Sequence, residues 1–196
     1  MGKIFYVMGK SSSGKDTIFQ ALLKTESLRL HRIVLYTTRP IRSNETDGED
    51  YHFVDDRILK EFQEQGNVIE LRCYNTVQGV WKYFTVNDRE MDLLSKNYLA
   101  IGTLVSYEKM RAFYGADCVI PIYIQVSDDV RLIRAVEREK GLIHPDYEEL
   151  CRRFLADSQD FTEEKLEKAG IKKRFLNDGK LENCLKEIME YIRERI

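Results

Sequence analysis

Residues 3–17 read KIFYVMGKSSSGKDT, and the order of residue types in this stretch sets the architecture to expect. An apolar run, Ile4 to Met8, gives way to a glycine- and serine-rich turn, then to Gly14-Lys15 and the helical pattern of Ile18, Leu22 and Leu23. The reading is strand, loop, helix. Gly9, four residues, then Gly14-Lys15 follow the G-x-x-x-x-G-K-[ST] spacing except in its last place, which Asp16 holds with Thr17 one step later. Glycines at those two points let several backbone N–H groups turn inward at once. The helix start adds unpaired N–H groups and the positive end of its dipole. Lys15 adds a full charge, and Ser11, Ser12 and Ser13 add hydroxyls. The stretch predicts a binding loop for the phosphates of a nucleoside triphosphate, built from Gly9, Ser11, Ser12, Ser13, Gly14, Lys15, Asp16 and Thr17.

Beyond the loop, apolar runs predict strands near residues 3–8, 32–36, 97–102, 118–126 and 173–177. Helical spacing predicts helices near 15–25, 55–65, 104–113, 128–140, 145–158 and 180–195. Alternation on this scale implies a parallel sheet covered by helices on both faces. Residues 37–86 break the rhythm, being polar and turn-rich, and predict an inserted lobe; residues 138–150, with Gly141 and Pro145 between two helices, predict a mobile flap.

The chain has 196 residues, enough for one α/β domain with inserted lobes. Its net charge of -2 gives no global basic field, so neither nucleic acid nor a membrane surface is expected as a partner. The run at the N-terminus is too short for a secretory leader and passes straight into the loop, so a cytoplasmic protein is expected. Cys73, Cys118, Cys151 and Cys184 are widely spaced and are expected to be reduced and mostly buried.

A second stretch, TTRPIRSNETDGEDYHFV at residues 37–54, carries more specific information. Arg39 and Arg42 offer guanidinium forks suited to a phosphate monoester, and Tyr51 can add a hydroxyl. Taken with the phosphate loop, it resembles the guanylate kinase family, and the likeness extends along nearly the whole chain. Glu70 stands at the family's base-reading glutamate and Gln78-Gly79 at its Tyr-Gly. Arg134, Arg138 and Arg153 match its lid arginines, and Asn177-Asp178 its late Asn-Asp pair. Arg131, Arg134 and Arg138 also share one helical face by their spacing.

The resemblance implies an α/β, three-layer P-loop kinase fold with a central parallel β-sheet. Residues 1–36 and 87–196 would form the core, 37–86 an inserted mixed-β lobe for the acceptor monophosphate, and 134–153 the lid. It further implies ATP on the loop with Asn177 at its adenine side, GMP as acceptor on Arg39, Arg42, Tyr51, Glu70, Gln78 and Gly79, and Mg²⁺ near Asp16 and Thr17. Lys15, Arg134, Arg138 and Arg153 would be catalytic. A monomer or homodimer is expected.

Several positions depart from the family. Its Leu-Asp-Ile-Asp strand is here Leu99-Ala100-Ile101-Gly102, Leu35 and Val80 stand at base-side hydroxyl positions, and Gln78 replaces a phosphate-binding Tyr. Asp16 could return a lost carboxylate to the metal. The departures leave room for another phosphorylated acceptor, such as the ribose 1,5-bisphosphate of a sister family. A non-catalytic phosphopeptide-binding module is a third reading, which Lys15 and the lid arginines oppose.

Overall fold

The computed structural model describes residues 2–76, 79–87 and 91–196. Along the chain, β1 (Ile4–Met8) leads to α1 (Lys15–Leu23), a 3-10 turn (Glu26–Leu28), β2 (Leu30–Arg32) and β3 (Leu35–Thr37). Next come β4 (Tyr51–Phe53), α2 (Asp56–Glu64), β5 (Val68–Thr76) and β6 (Gly79–Val86). The second half runs β7 (Asn97–Gly102), α3 (Leu104–Tyr114), β8 (Val119–Gln125), α4 (Asp128–Lys140), α5 (Tyr147–Asp160), α6 (Glu163–Lys168), β9 (Arg174–Leu176) and α7 (Leu181–Arg193).

Five of these strands form a parallel sheet in the order β2-β7-β1-β8-β9. β1 lies at its centre and is buried throughout, as a strand covered on both faces must be. Its alternation splits the core in two. Ile4, Tyr6 and Met8 pack with Tyr98, Ala100, Tyr107 and Met110 on the α3 side. Phe5 and Val7 pack with Ile18, Leu22, Leu99 and Ile188 on the side of α1 and α7. Each fully buried aliphatic or aromatic chain contributes about 1.5–3 kcal/mol, so the β1 residues alone anchor both layers. Three layers result, as the sequence predicts.

The other four strands make a mixed sheet, β4-β3-β6-β5, in which β3 and β4 are parallel and β6 runs antiparallel to both β3 and β5. It has a small core of its own around Tyr36, Leu59, Phe84 and Val86. The side chain of Asp55 accepts from the Ile58 amide and starts α2 against that core.

The predicted single strand over 32–36 is two strands in different sheets. Ile33 N–H still bonds to Leu99 of the parallel sheet, whereas Thr38 N–H bonds to Lys82 of the mixed one. An apolar run shows extended chain but not a change of partner, so the hand-over is invisible in the pattern. The 3-10 turn and α6 are absent from the sequence reading, being too short for periodicity to register; Thr162 caps α6 by accepting from Lys165 N–H.

A register shift between Val68 and Glu70 sends Val68 into the small core, whereas Glu70 and Arg72 face the other way. The expectation for the cysteines holds only in part. Cys118 and Cys184 are buried, with burial pushing the Cys184 thiol up to about 11, but Cys73 and Cys151 are exposed; all four are free thiols. Among the described residues, no helix is long and apolar enough to cross a membrane.

Candidate active site

The loop between β1 and α1 opens at the C-terminal edge of the parallel sheet, where α/β sheets bind ligands. Gly14 sits at φ 83° just before the helix, and no side chain caps the helix start, so its first N–H groups remain for an anion. Only glycine fits here. A Cβ at Gly14 would lie 2.6 Å from Asn177 Nδ2, and one at Gly9 would lie 2.6 Å from the Ile124 carbonyl oxygen.

Asn177 holds the loop from beneath. Buried, it donates from Nδ2 to the Ser13 carbonyl at 2.9 Å, while Arg134 Nη2 donates to the Asn177 carbonyl at 2.8 Å. Ser12 Oγ, Ser13 Oγ and Asn177 Oδ1 are buried without a hydrogen-bond partner, an unusual density of unmet polar groups around one turn.

Above the loop lies a cleft of about 440 Å³ lined by Ser11, Ser12, Gly14, Lys15, Asp16 and Thr17 together with Arg134, Arg138 and Arg153. α4 brings Arg134 and Arg138, one turn apart, and α5 brings Arg153. Arg153 Nε donates to Glu149 Oε1 at 2.6 Å, and Lys15 Nζ lies 3.2 Å from Asp16 Oδ2. Glu149 is held down to about 2 by its hydrogen bonds, chiefly that from Arg152, and stays anionic beside Arg153.

Asp16 is 81% exposed at the rim of this cleft. Among the described residues there is no cluster of three or more His, Cys, Asp or Glu that could hold a metal. One carboxylate with a neighbouring hydroxyl fits Mg²⁺ that arrives bound to nucleotide phosphates, because that ion keeps most of its shell as phosphate and water.

Sequence reasoning missed the support behind the loop. Arg131 is not part of the arginine row in the cleft: it is 1% exposed and packs over the Phe154 ring at 4.1 Å. Its Nη1 donates to Asp157 Oδ2 at 3.0 Å and its Nη2 to Asp128 Oδ1 at 3.0 Å. Asp157 Oδ2 also accepts from the Ser11 backbone N–H at 2.8 Å. α5 is thereby bonded directly to the phosphate loop, and the same carboxylate pairs with the buried Arg131.

The guanylate kinase family model matches residues 1–92, which include the phosphate loop and the 37–54 stretch. Guanylate kinase of Photorhabdus laumondii is 27% identical over 172 residues, spanning 86% of this chain and 72% of that one. Over its first 92 residues the chain is similar to the guanylate kinase family. Guanylate kinase of Nitrosomonas europaea is 37% identical over 70 residues, but this covers only 36% of the chain and 34% of that relative. The crystal structure of guanylate kinase from Anaplasma phagocytophilum superposes with a TM-score of 0.61 over 98% of this chain and 85% of that one; at 21% identity it bears on the fold alone.

A second cavity, of about 550 Å³, lies between the phosphate loop and the mixed sheet. Ser11, Lys15, Asp16 and Arg153 line both cavities, so the two meet at the phosphate loop. Of the predicted acceptor residues, Tyr51 lines this second cavity, whereas Arg39, Arg42, Glu70 and Gly79 do not. Arg39 is buried, its Nη1 and Nη2 pairing with Glu45 at 2.7 and 2.5 Å and its Nε donating to Tyr83 Oη at 3.1 Å. Arg39 holds the Glu45 carboxyl down to about 2. Arg42 is exposed, and its backbone N–H donates to the same Glu45. Gly79 begins β6 at φ 112°, and Gln78 lies outside the described residues.

The walls the sequence reading did not anticipate are Arg32, Arg72, Tyr74, Trp81 and Tyr83. Their signal was present in the alternation of β5 and β6, whose register pairs Arg72 with Tyr83 and Tyr74 with Trp81 on one face. The missing acid at Gly102 also has a physical counterpart. A Cβ there would lie 2.2 Å from Tyr6 Oη and 2.9 Å from Ser106 Oγ, so a phenol takes the space of a side chain. Burial pushes the Tyr6 hydroxyl up to about 12, keeping it neutral.

Proposed function

We propose that this protein transfers a phosphoryl group from ATP, entering as its magnesium complex, to the phosphate of a nucleoside monophosphate, with GMP giving GDP the assignment its relatives' names favour. The observation that carries the proposal is the sharing of Lys15 and Arg153 by both cavities. A group passing from a donor on the loop to an acceptor in the larger cavity would move past these two cations. Loop N–H groups and the start of α1 would hold the β- and γ-phosphates. Lys15, Arg134, Arg138 and Arg153 would spread the charge of the moving phosphoryl group. Tyr51 would meet the acceptor phosphate, which is already ionised at neutral pH and calls for no general base. Arg39, tied to Glu45, would act by fixing Tyr83 and the wall beneath Tyr51. Asp16 would supply an oxygen to the incoming Mg²⁺.

A second reading, a phosphorylated acceptor other than GMP, is favoured by the base side of the cavity, where Leu35 and Gly102 offer no polar side-chain atom. An ADP-release assay with MgATP against GMP, dGMP, AMP, CMP, UMP and ribose 1,5-bisphosphate separates the readings. Turnover with GMP alone supports the first, and turnover with another acceptor the second. ADP release from none of them overturns phosphoryl transfer.

A further inference from the structure

α5 carries Glu149, Arg153 and Asp157 at four-residue spacing, so the three share one face of the helix. All three line the larger cavity, and Arg153 lines the smaller one as well. The two acids of this face are engaged differently. Glu149 accepts from Arg153 Nε at 2.6 Å and from Arg152 Nη2 at 2.8 Å. Asp157 turns to the phosphate loop instead, where its Oδ2 accepts from the Ser11 N–H at 2.8 Å and from Arg131 Nη1 at 3.0 Å. The other end of α5 is fixed too: the Asp146 N–H donates to Glu139 Oε1 of α4 at 2.6 Å.

A buried ion pair such as Arg131 with Asp157 is by itself weak grounds for stability, since apolar side chains of like volume often serve as well. What the carboxylate adds, and an apolar side chain cannot, is the bond to the Ser11 N–H. That amide belongs to the turn whose N–H groups would face the phosphates, yet here it holds a helix. Ser12, next to it, stands at φ 62° in the left-handed region, which a non-glycine residue keeps only where its surroundings fix it. Asn177 fixes the turn from beneath at Ser13, and Asp157 fixes it from the α5 side at Ser11. Arg153 stands four residues from Asp157, about 6 Å along the helix axis. Its distance from the loop is therefore set by the Asp157 contact.

We propose that Asp157 is a positioning residue for Arg153: by pinning α5 to Ser11 it sets the Arg153 guanidinium over the loop, where the terminal phosphate of a bound triphosphate would stand. The inference rests on the loop being the donor site and on Arg153 meeting that phosphate, and its test needs no turnover. Calorimetric titration with MgATP and with MgADP, acceptor absent, isolates the terminal phosphate. Arg153→Ala should weaken MgATP about tenfold or more, the scale of a hydrogen bond between charged groups, and MgADP far less. Asp157→Ala should reproduce that pattern. The double variant Arg153→Ala/Asp157→Ala should bind MgATP no more weakly than either single one, because both remove the same contact. Arg131→Met/Asp157→Leu replaces the buried pair by apolar side chains, which guards against misfolding, and should lose MgATP as Asp157→Ala does. Asp157→Asn keeps an acceptor for the Ser11 N–H; it should unfold at a lower temperature yet retain the wild-type ratio of MgATP to MgADP affinity. A carboxylate that only stabilises the fold would lower both nucleotides alike and add to Arg153→Ala in the double variant; either result, or loss of the ratio in Asp157→Asn, overturns the proposal. Arg153→Ala without effect on MgATP overturns it together with the place given to Arg153 in the mechanism. The coupled loss of MgATP without ADP release in the acceptor assay upholds the positioning while refuting phosphoryl transfer.

Discussion

Replacing Arg131 by Met tests whether the phosphate loop is held from behind by a buried charge. Met fills the apolar part of the site over Phe154 but removes the guanidinium that donates to Asp157 and Asp128. Deleting one partner of a buried pair costs about 3–5 kcal/mol, because the other charge is left without compensation. Here the lower end applies. Asp157 keeps the Ser11 N–H and is 16% exposed, and Asp128 is 54% exposed. A loss of about 3 kcal/mol in a chain of this size lowers the midpoint of thermal unfolding by about 6–12 °C. Asp157→Asn keeps an acceptor for Ser11 N–H while removing the charge, and closes a double-mutant cycle whose coupling should be about 1–3 kcal/mol. Scanning calorimetry on the four proteins gives both numbers. Because Asp157 is bonded to the loop, KM for ATP should rise in Arg131→Met more than KM for the acceptor. A midpoint shift under 2 °C, or a coupling below about 0.5 kcal/mol, would refute the view that this pair braces the loop.

Three other outcomes follow from the same geometry. Arg39 holds Glu45 at about 2, well below its ordinary 4.5, so the folded state binds fewer protons between those values. The pair's stabilisation is therefore complete above pH 4.5 and lost as pH falls toward 2, and the Tm advantage of wild type over Glu45→Gln should vanish across that window. Gly102→Asp should destabilise by about 1–3 kcal/mol from overpacking against Tyr6 and Ser106; partial recovery in Tyr6→Val/Gly102→Asp, measured by urea unfolding, checks that the phenol is the obstacle. Asp16→Ala should lower kcat with MgATP about tenfold or more while leaving acceptor binding, read by Trp81 fluorescence, unchanged; an unaltered kcat excludes a metal role for this carboxylate.

The phosphate loop was legible because its function is local. Two glycines, a lysine and a helix start act within fifteen residues, and backbone N–H groups do the binding whatever the side chains beyond them. The central strand was equally legible, since burial on both faces leaves an unbroken apolar run. Arg131, Arg134 and Arg138 could be placed on one helical face, but spacing alone could not separate the first from the other two. What separates them is Asp157, 26 positions away on another helix, which draws Arg131 into the interior and leaves the other two at the cleft.

The acceptor side shows why a motif residue can persist while its contacts are taken over. Arg39 and Glu70 both stand where the family resemblance places phosphate- and base-binding groups, yet neither lines the cavity. Glu45 occupies the fork of Arg39, and Arg72 occupies the carboxylate of Glu70. Each capture is by a neighbour only a few residues along the chain, so each is cheap in loop entropy and hard to displace with a neutral ligand. Each also reverses what the cavity sees: at Glu70 a carboxylate face becomes a guanidinium face. The sign and hydrogen-bonding sense of a site are set by whichever member of an ion pair is outermost. That order depends on strand register and the small bulge after Val68, which no reading of residue identities alone supplies.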